Sequence, residues 1–328
     1  MNRTSRRALI LATVLLAIAG GITVFSSSPW SSMLASMLGE TKSVENAKPV
    51  PQYSHTAFAN SRSIRFLVVG DWGTGSAFQR RVAKGMNTYS RIEQPQFIIS
   101  TGDNFYPNGA ESPDDKKFTT HWKNIYSGDA LQLPWYVVLG NHDYRSDADA
   151  EVAYSKRDSM WIMPARYYSF TKNMDGISAE FFMIDTEMLH NGGDAAARQR
   201  EWLDRSLRAS SAQWKIVVGH HMIRSHGAYK DQPWMLEQVK PLLDKYGVQL
   251  YMNGHDHDMQ YLRSPQDGFA CLISGAGGGA RNTSYGENTR LAYTNGGFAA
   301  IALMQNGMYV HFMDSDGNII YEDRIAEK

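Results

Sequence analysis

Apolar positions follow three different rhythms along this chain. Residues 8–25 form one apolar run, broken only by small residues and Thr, behind Arg3, Arg6 and Arg7. Residues 26–63 sustain no period and are rich in Ser, Pro, Asn and Lys. From Ile64 onward, short apolar runs alternate with stretches of helical spacing. Strands are predicted at 66–69, 97–99, 135–139, 180–184, 215–218 and 248–252, each a run of strand length. Helices are predicted between them, over 77–88, around 115–126, and from an Asp194 cap to about 210, where Leu203 and Leu207 lie one turn apart. Leu236, Val239, Leu243 and Tyr246 recur at helical spacing as well. After Phe269 the pattern becomes strands and Gly-containing turns, at 299–303, 309–313 and 319–323. This alternation predicts an α/β fold, a sandwich of two sheets flanked by helices.

The chain divides accordingly into 1–25, 26–63 and 64–328. A positive start followed by an apolar core is the pattern of an export signal, and Ala17-Ile18-Ala19 offers a cleavage site. The run is also about as long as the shortest bilayer-spanning helices, roughly 18 residues. Segment 1–25 is therefore read as a signal peptide or a signal anchor, and 26–63 as a linker. In either case the arginines stay cytoplasmic and the body is exported, periplasmic or secreted, with membrane contact only through that anchor. Ser5-Arg6-Arg7 also resembles a twin-arginine signal.

Composition narrows the choice of partner. Lys plus Arg and Asp plus Glu are 33 each, so no nucleic-acid or other polyanion-binding surface is indicated. Cys271 is the single cysteine, which excludes an intramolecular disulfide.

The chemistry lies where the strands stop. Five predicted strands end in a Gly beside Asp, Asn or His: Gly70-Asp71, Gly102-Asp103, Gly140-Asn141-His142-Asp143, Gly219-His220-His221 and Gly254-His255-Asp256-His257. Any one of these is an ordinary turn, since Asp and Asn favour turns for local reasons. Five together make a metal-type constellation, because ligands in α/β folds gather beyond the carboxyl ends of strands. Asp103 has two carboxylate oxygens and so can bridge two cations, as two-metal hydrolysis requires.

Asp71-x-Gly73, Gly102-Asp103-x-x-Tyr106, Gly140-Asn141-His142-Asp143, Gly219-His220 and Gly254-His255-x-His257 resemble the five-block signature of the calcineurin-like metallophosphoesterases. Tyr106 narrows the resemblance to the purple acid phosphatases of the small tartrate-resistant type, over the chain from Ile64 onward. The resemblance implies a dinuclear centre of Fe(3+) plus a divalent ion, Fe, Zn or Mn. Asp71, Tyr106 and His257 would hold the ferric ion, Asn141, His220 and His255 the divalent one, and Asp103 both. His142 and His226 would be the catalytic histidines, acting on the phosphate and its leaving group. Asp143 would orient the His142 imidazole, and His221 would line the pocket. The implied activity is hydrolysis of phosphate monoesters, with hydroxide attacking phosphorus in line. A phosphodiesterase or nucleotide hydrolase on the same metal core, and a non-catalytic exported binding protein, are the alternatives.

Overall fold

The computed structural model describes residues 58–59 and 61–327. The predicted export segment at 1–25, and 26–57 of the predicted linker, lie outside the described residues. Among the described residues no helix is long and apolar enough to cross a membrane.

The run Ile-Arg-Phe-Leu-Val-Val forms β1 (Ile64–Val69), with Phe66 to Val69 completely buried. Burial on both faces is what a near-continuous apolar run demands. Beside β1, in parallel, lies β2 (Phe97–Ser100), followed by β3 (Trp135–Val137) and β4 (Trp161–Ile162). The sheet is completed by antiparallel strands on the other side of β1. They are β12 (Gly297–Leu303), β13 (Gly307–Asp314) and β14 (Ile319–Glu327).

The second sheet has a parallel centre, β6 (Ile177–Met183), β7 (Trp214–Val218), β8 (Leu250–Asn253) and β10 (Ala270–Ser274). Antiparallel strands flank it: β5 (Tyr168–Met174) on one side, β9 (Met259–Leu262) and β11 (Thr289–Tyr293) on the other. Each sheet has seven strands. Aromatic rings join the two across the core, with Phe66 edge-on to Phe181 at 5.2 Å and Phe97 edge-on to Phe181 at 5.7 Å. The outer face of the second sheet packs on helices α4 (Gly193–Ala209), α5 (Pro233–Gln238) and α6 (Lys240–Lys245) through Leu203, Leu207, Met235 and Leu243. Helix α1 (Ala77–Glu93) starts at Ser76, whose hydroxyl accepts the Gln79 N–H, and buries Val82, Met86 and Tyr89.

The two-sheet sandwich is therefore as predicted, and the differences are local. The predicted helix at 115–126 is instead a single wide π-type turn, Phe118–Lys123. Phe118 and Trp122 both face Trp161, at 5.4 and 4.9 Å, and that aromatic packing outweighs helical propensity. The helical spacing at 236–246 is split between α5 and α6, where Pro241 lacks the N–H a continuous helix needs. Two short helices, α2 (Ala148–Tyr154) and α3 (Thr186–Asn191), are additions to the predicted set. Asp185, expected only to mark a strand end, caps α3 by accepting the Met188 N–H at 2.9 Å. The half-exposed β5, with its run Tyr-Ser-Phe-Thr-Lys-Asn-Met, lacks the dense apolar signal of the central strands.

Candidate metal centre

Strands β1, β2 and β3 are parallel neighbours in one sheet, and β7 and β8 in the other. Parallel pairing puts the turn that follows each strand at the same edge of its sheet. All five turns singled out in the sequence follow these five strands.

Asp103 faces two separate groups of donors. Its Oδ2 lies 2.8 Å from Tyr106 Oη, which in turn lies 3.1 Å from Asp71 Oδ1 and 3.2 Å from His257 Nε2. His257 Nε2 is 3.5 Å from Asp71 Oδ1, which closes that group. Donor atoms of Asp71, Asp103 and His257 lie within 4.8 Å of one another. On the other side, Asp103 Oδ1 is 3.5 Å from His220 Nε2. That nitrogen is 3.1 Å from both Asn141 Oδ1 and His255 Nδ1. Ligands at about 2.0–2.1 Å from one ion stand roughly 3 Å apart when they meet at right angles, so both groups have the spacing of a coordination shell.

The chemistry of the donors fits cations equally well. Asp71 and Asp103 are buried, and among the described residues no lysine or arginine side chain bonds to either. Burial and the neighbouring Asp103 charge push the Asp71 carboxyl well above its ordinary range. Burial also acts to raise Asp103, but His220, His142 and the hydrogen bonds it accepts hold it below the usual value. Burial, then the His220 charge, lowers His255 to about 3, and burial, then Arg281, lowers His257 to about 4. Both imidazoles are thus neutral with a lone pair to offer. His220 Nδ1 lies 2.9 Å from the Thr101 carbonyl, which can only accept, so Nδ1 carries the hydrogen and Nε2 is the free ligand atom.

The backbone is bent to make this arrangement. Asp71, Asp103 and His255 have φ of 56°, 51° and 70°, left-handed values that cost non-glycine residues of order 1 kcal/mol each. Two glycines allow the close approach: a Cβ on Gly140 would stand 2.2 Å from Asp103 Oδ1, and one on Gly254 the same distance from Asp71 Oδ2.

The remaining predicted residues divide into those that join the cluster and those that do not. His142 gives its backbone N–H to Asp103 Oδ1 at 2.8 Å, and its Nε2 stands 4.0 Å from Asp103 Oδ2. Its Nδ1 bonds to the Pro107 carbonyl at 2.7 Å, not to Asp143 as expected. The Asp143 carboxylate is turned inward and accepts the backbone N–H groups of Asn104, Phe105 and Gly140, at 2.8–3.1 Å. Three orphan amides of two tight turns outcompete one imidazole that already has a carbonyl. His221 lies beside the cluster, its ring 4.5 Å from that of His255 and its Nδ1 2.8 Å from Thr186 Oγ1. Among the described residues no hydrogen bond ties the His226 ring to the donor groups. Its backbone N–H goes to Gln260 Oε1 at 2.8 Å, and its ring stands where a Cβ on Gly286 would be 2.1 Å away.

Three residues near the site carry no mark in the sequence pattern. Asn104 ties the Asp103 turn to its surroundings, donating to the Val138 carbonyl and to Glu151, both at 2.9 Å. Tyr229 stacks on the His255 ring at 4.3 Å, and Arg281 bonds to Tyr229 at 3.0 Å. Asn104 reads as part of the Asp103 turn, and the other two lie in loops with no periodic signal.

Comparisons with known proteins place this geometry. The calcineurin-like phosphoesterase family matches residues 64–259. Purple acid phosphatase 4 of Arabidopsis thaliana is 35% identical over 79% of this chain and 83% of its own length. Tartrate-resistant acid phosphatase type 5 of Homo sapiens is 30% identical over 81% of this chain and 92% of its own. Among solved structures, GAP50, the anchor in the inner membrane complex of Plasmodium, superposes with a TM-score of 0.75 at 25% identity, covering 82% of this chain and 90% of that one. The purple acid phosphatase PPD1 of Lupinus luteus shares the fold, with a TM-score of 0.63 at 16% identity over 81% of this chain and 54% of its own. The chain belongs to the calcineurin-like phosphoesterases, and within them to the purple acid phosphatase family.

Proposed function

We propose that this chain is an exported phosphatase that hydrolyses small phosphate monoesters at a dinuclear metal centre spanning Asp103. The observation that carries the reading is the division of Asp103: Oδ2 belongs to one donor group and Oδ1 to another. In this reading Asp71, Tyr106 and His257 would hold Fe(3+), and Asn141, His220 and His255 a divalent ion. Bound there, the ions would supply Lewis acidity toward phosphate oxygens and make water acidic enough to act as hydroxide.

The protein's own part is positioning and proton transfer. The carbonyl of Pro107 keeps the hydrogen of His142 on Nδ1, so Nε2 is the atom that faces Asp103. Protonated at Nε2, His142 would give that proton to the departing alkoxide as a general acid. His226 is the second candidate for that role: its backbone is fixed by Gln260 and its ring lies against Gly286, and among the described residues no hydrogen bond ties that ring to the donor groups. Thr101 orients His220, and Gly140 and Gly254 let the backbone lie against the two carboxylates. The same reading assigns 1–25 to export or anchoring, 26–63 to a linker and 64–328 to catalysis, supported by Arg3, Arg6, Arg7 and the apolar run after them.

The fold alone does not settle the activity, since GAP50 is described as an anchor. Complete donor groups on both sides of Asp103 favour catalysis. The test is metal analysis of the purified exported body, with turnover of p-nitrophenyl phosphate and of bis-p-nitrophenyl phosphate. Two metals per chain with the monoester preferred is the expected result. Preference for the diester would make the chain a phosphodiesterase, and a metal-free inactive protein would leave a binding module.

A further inference from the structure

Arg281 stands at the edge of the metal centre with most of its hydrogen-bonding capacity unused. A guanidinium has five N–H donors. Arg281 spends one, from Nη1 to Tyr229 Oη at 3.0 Å, and among the described residues no carboxylate pairs with it. The side chain is exposed, yet its root is fixed: the Arg281 backbone N–H donates to the His257 carbonyl at 2.6 Å. Tyr229 fixes the other end. Its ring lies on the His255 ring, 4.3 Å between centroids and 24° from parallel, and its backbone N–H bonds to Asp256 Oδ1 at 3.2 Å. The Arg281 guanidinium carbon is 5.6 Å from the Tyr229 ring centroid. At 44% exposed, Tyr229 is one of two large hydrophobic residues left open on the described surface, and it is the one at the site. An exposed aromatic ring that carries a cation and rests on a metal-type histidine calls for more than packing.

We propose that Arg281, positioned by Tyr229, is a specificity residue that binds a second anionic group on the leaving side of the phosphate ester. The inference rests on the phosphatase reading of the site. The phosphate being cut is served by the donors around Asp103 and by His142. The Tyr229 ring is stacked on His255 and holds Nη1 through the hydroxyl at its edge. The Arg281 backbone is tied to His257, so the guanidinium stands beside the donor cluster without bonding to any of its ligands. With the phosphate being cut already served by those donors, the unused fork is left for a second anionic group of the same ester. The free N–H groups form a planar fork that matches a carboxylate or phosphate with two parallel bonds. Esters whose leaving group carries its own negative charge are therefore favoured over esters whose leaving group is neutral.

The experiment compares phenyl phosphate with 4-carboxyphenyl phosphate on the metal-loaded enzyme. The variants are Arg281→Ala, Arg281→Lys and Tyr229→Phe. In Arg281→Ala, kcat/KM for the carboxylated ester should fall about tenfold, mostly through KM, against about twofold for phenyl phosphate. Arg281→Lys should recover part of the loss, because a point charge replaces the fork. Tyr229→Phe removes the hydroxyl that holds Nη1 and should fall between wild type and Arg281→Ala. The wild-type preference should shrink as salt is raised. If wild type and Arg281→Ala show the same ratio between the two esters, Arg281 does not select substrates. Loss of metal in Arg281→Ala would likewise overturn the proposal, by making the residue structural. A wild-type enzyme inactive on both esters would sink the phosphatase reading itself, and this inference with it, a result distinct from an active enzyme with an unchanged ratio.

Discussion

The two sides of Asp103 are built from different materials. One side gathers oxygen, from Asp71, Tyr106 and Asp103 Oδ2, with a single imidazole from His257. The other gathers two imidazoles, His220 and His255, with the Asn141 amide and Asp103 Oδ1. The oxygen side suits a small, highly charged ion, the nitrogen side a borderline divalent one. They are also held differently. The Asp71 carboxylate is steadied by a backbone N–H, from His255 to Oδ2 at 2.9 Å, whereas His220 is steadied through its tautomer by Thr101. A single carboxylate links the two, so the halves are separable in principle everywhere except at Asp103.

That separability can be broken, and the largest effect is expected at the link. Asp103→Asn offers one oxygen acceptor and an NH₂ group that cannot ligate, and it removes a negative charge from between two cations. Loss of a supporting partner alone typically costs about 10–100-fold in metal affinity or activity, so loss of a shared ligand should cost about 10³-fold. Metal stoichiometry should drop for both ions. Two metals and near-normal turnover in Asp103→Asn would leave Asp103 a turn residue.

Next come the one-sided substitutions. Asp71→Ala should empty mainly the ferric side and His220→Ala mainly the divalent side, each with a loss of activity of about 10²-fold or more. Elemental analysis of each variant decides the matter. Equal loss of both metals in both variants would show that the halves are not independent.

His142→Ala should leave both metals in place. Turnover of esters with poor leaving groups should fall by ~10²-fold, and turnover of esters with good ones by much less, as expected for a general acid. An empty metal site in this variant would transfer His142 to the ligands.

A smaller effect is expected behind the site. Asp143→Asn puts an NH₂ group among three backbone donors that join the two turns. Metal affinity should weaken about tenfold on both sides, with thermal stability reduced by roughly 1–3 kcal/mol for the unpaired buried amide. Titration with the divalent ion and a melting curve measure the two effects.

Tyr106→Phe should show most clearly in colour. A phenolate on ferric iron absorbs visible light, and the variant should lose that band while keeping its fold. A colourless but active wild-type protein would reduce Tyr106 to a packing residue and remove the asymmetry between the halves.

Much of this architecture is legible in the order of residues. The central strands β1, β2, β7 and β8 are dense apolar runs, because a strand buried on both faces has little room for polar residues. The five Gly-Asp, Gly-Asn and Gly-His turns stand where such runs stop, since a glycine lets the backbone lie against a ligand carboxylate, as Gly140 and Gly254 do. Edge strand β5 and the π-type turn at Phe118–Lys123 are not legible in this way, because partners distant in sequence decide them.

Side-chain chemistry along the chain therefore settles which residues can ligate, in what order they occur and at which strand ends. It does not settle who faces whom. Adjacency alone pairs Asp143 with His142, and folding gives Asp143 to three backbone amides instead. Motif resemblance groups His226 with the catalytic residues, and folding sets its ring against Gly286. Tyr229 and Arg281, 52 positions apart, meet beside His255 only because the loops after β7, β8 and β10, parallel neighbours, leave the same edge of the sheet. Ligand identity is a local property of each side chain. Orientation and neighbourhood are decided by competition among all the groups that tertiary packing brings within reach.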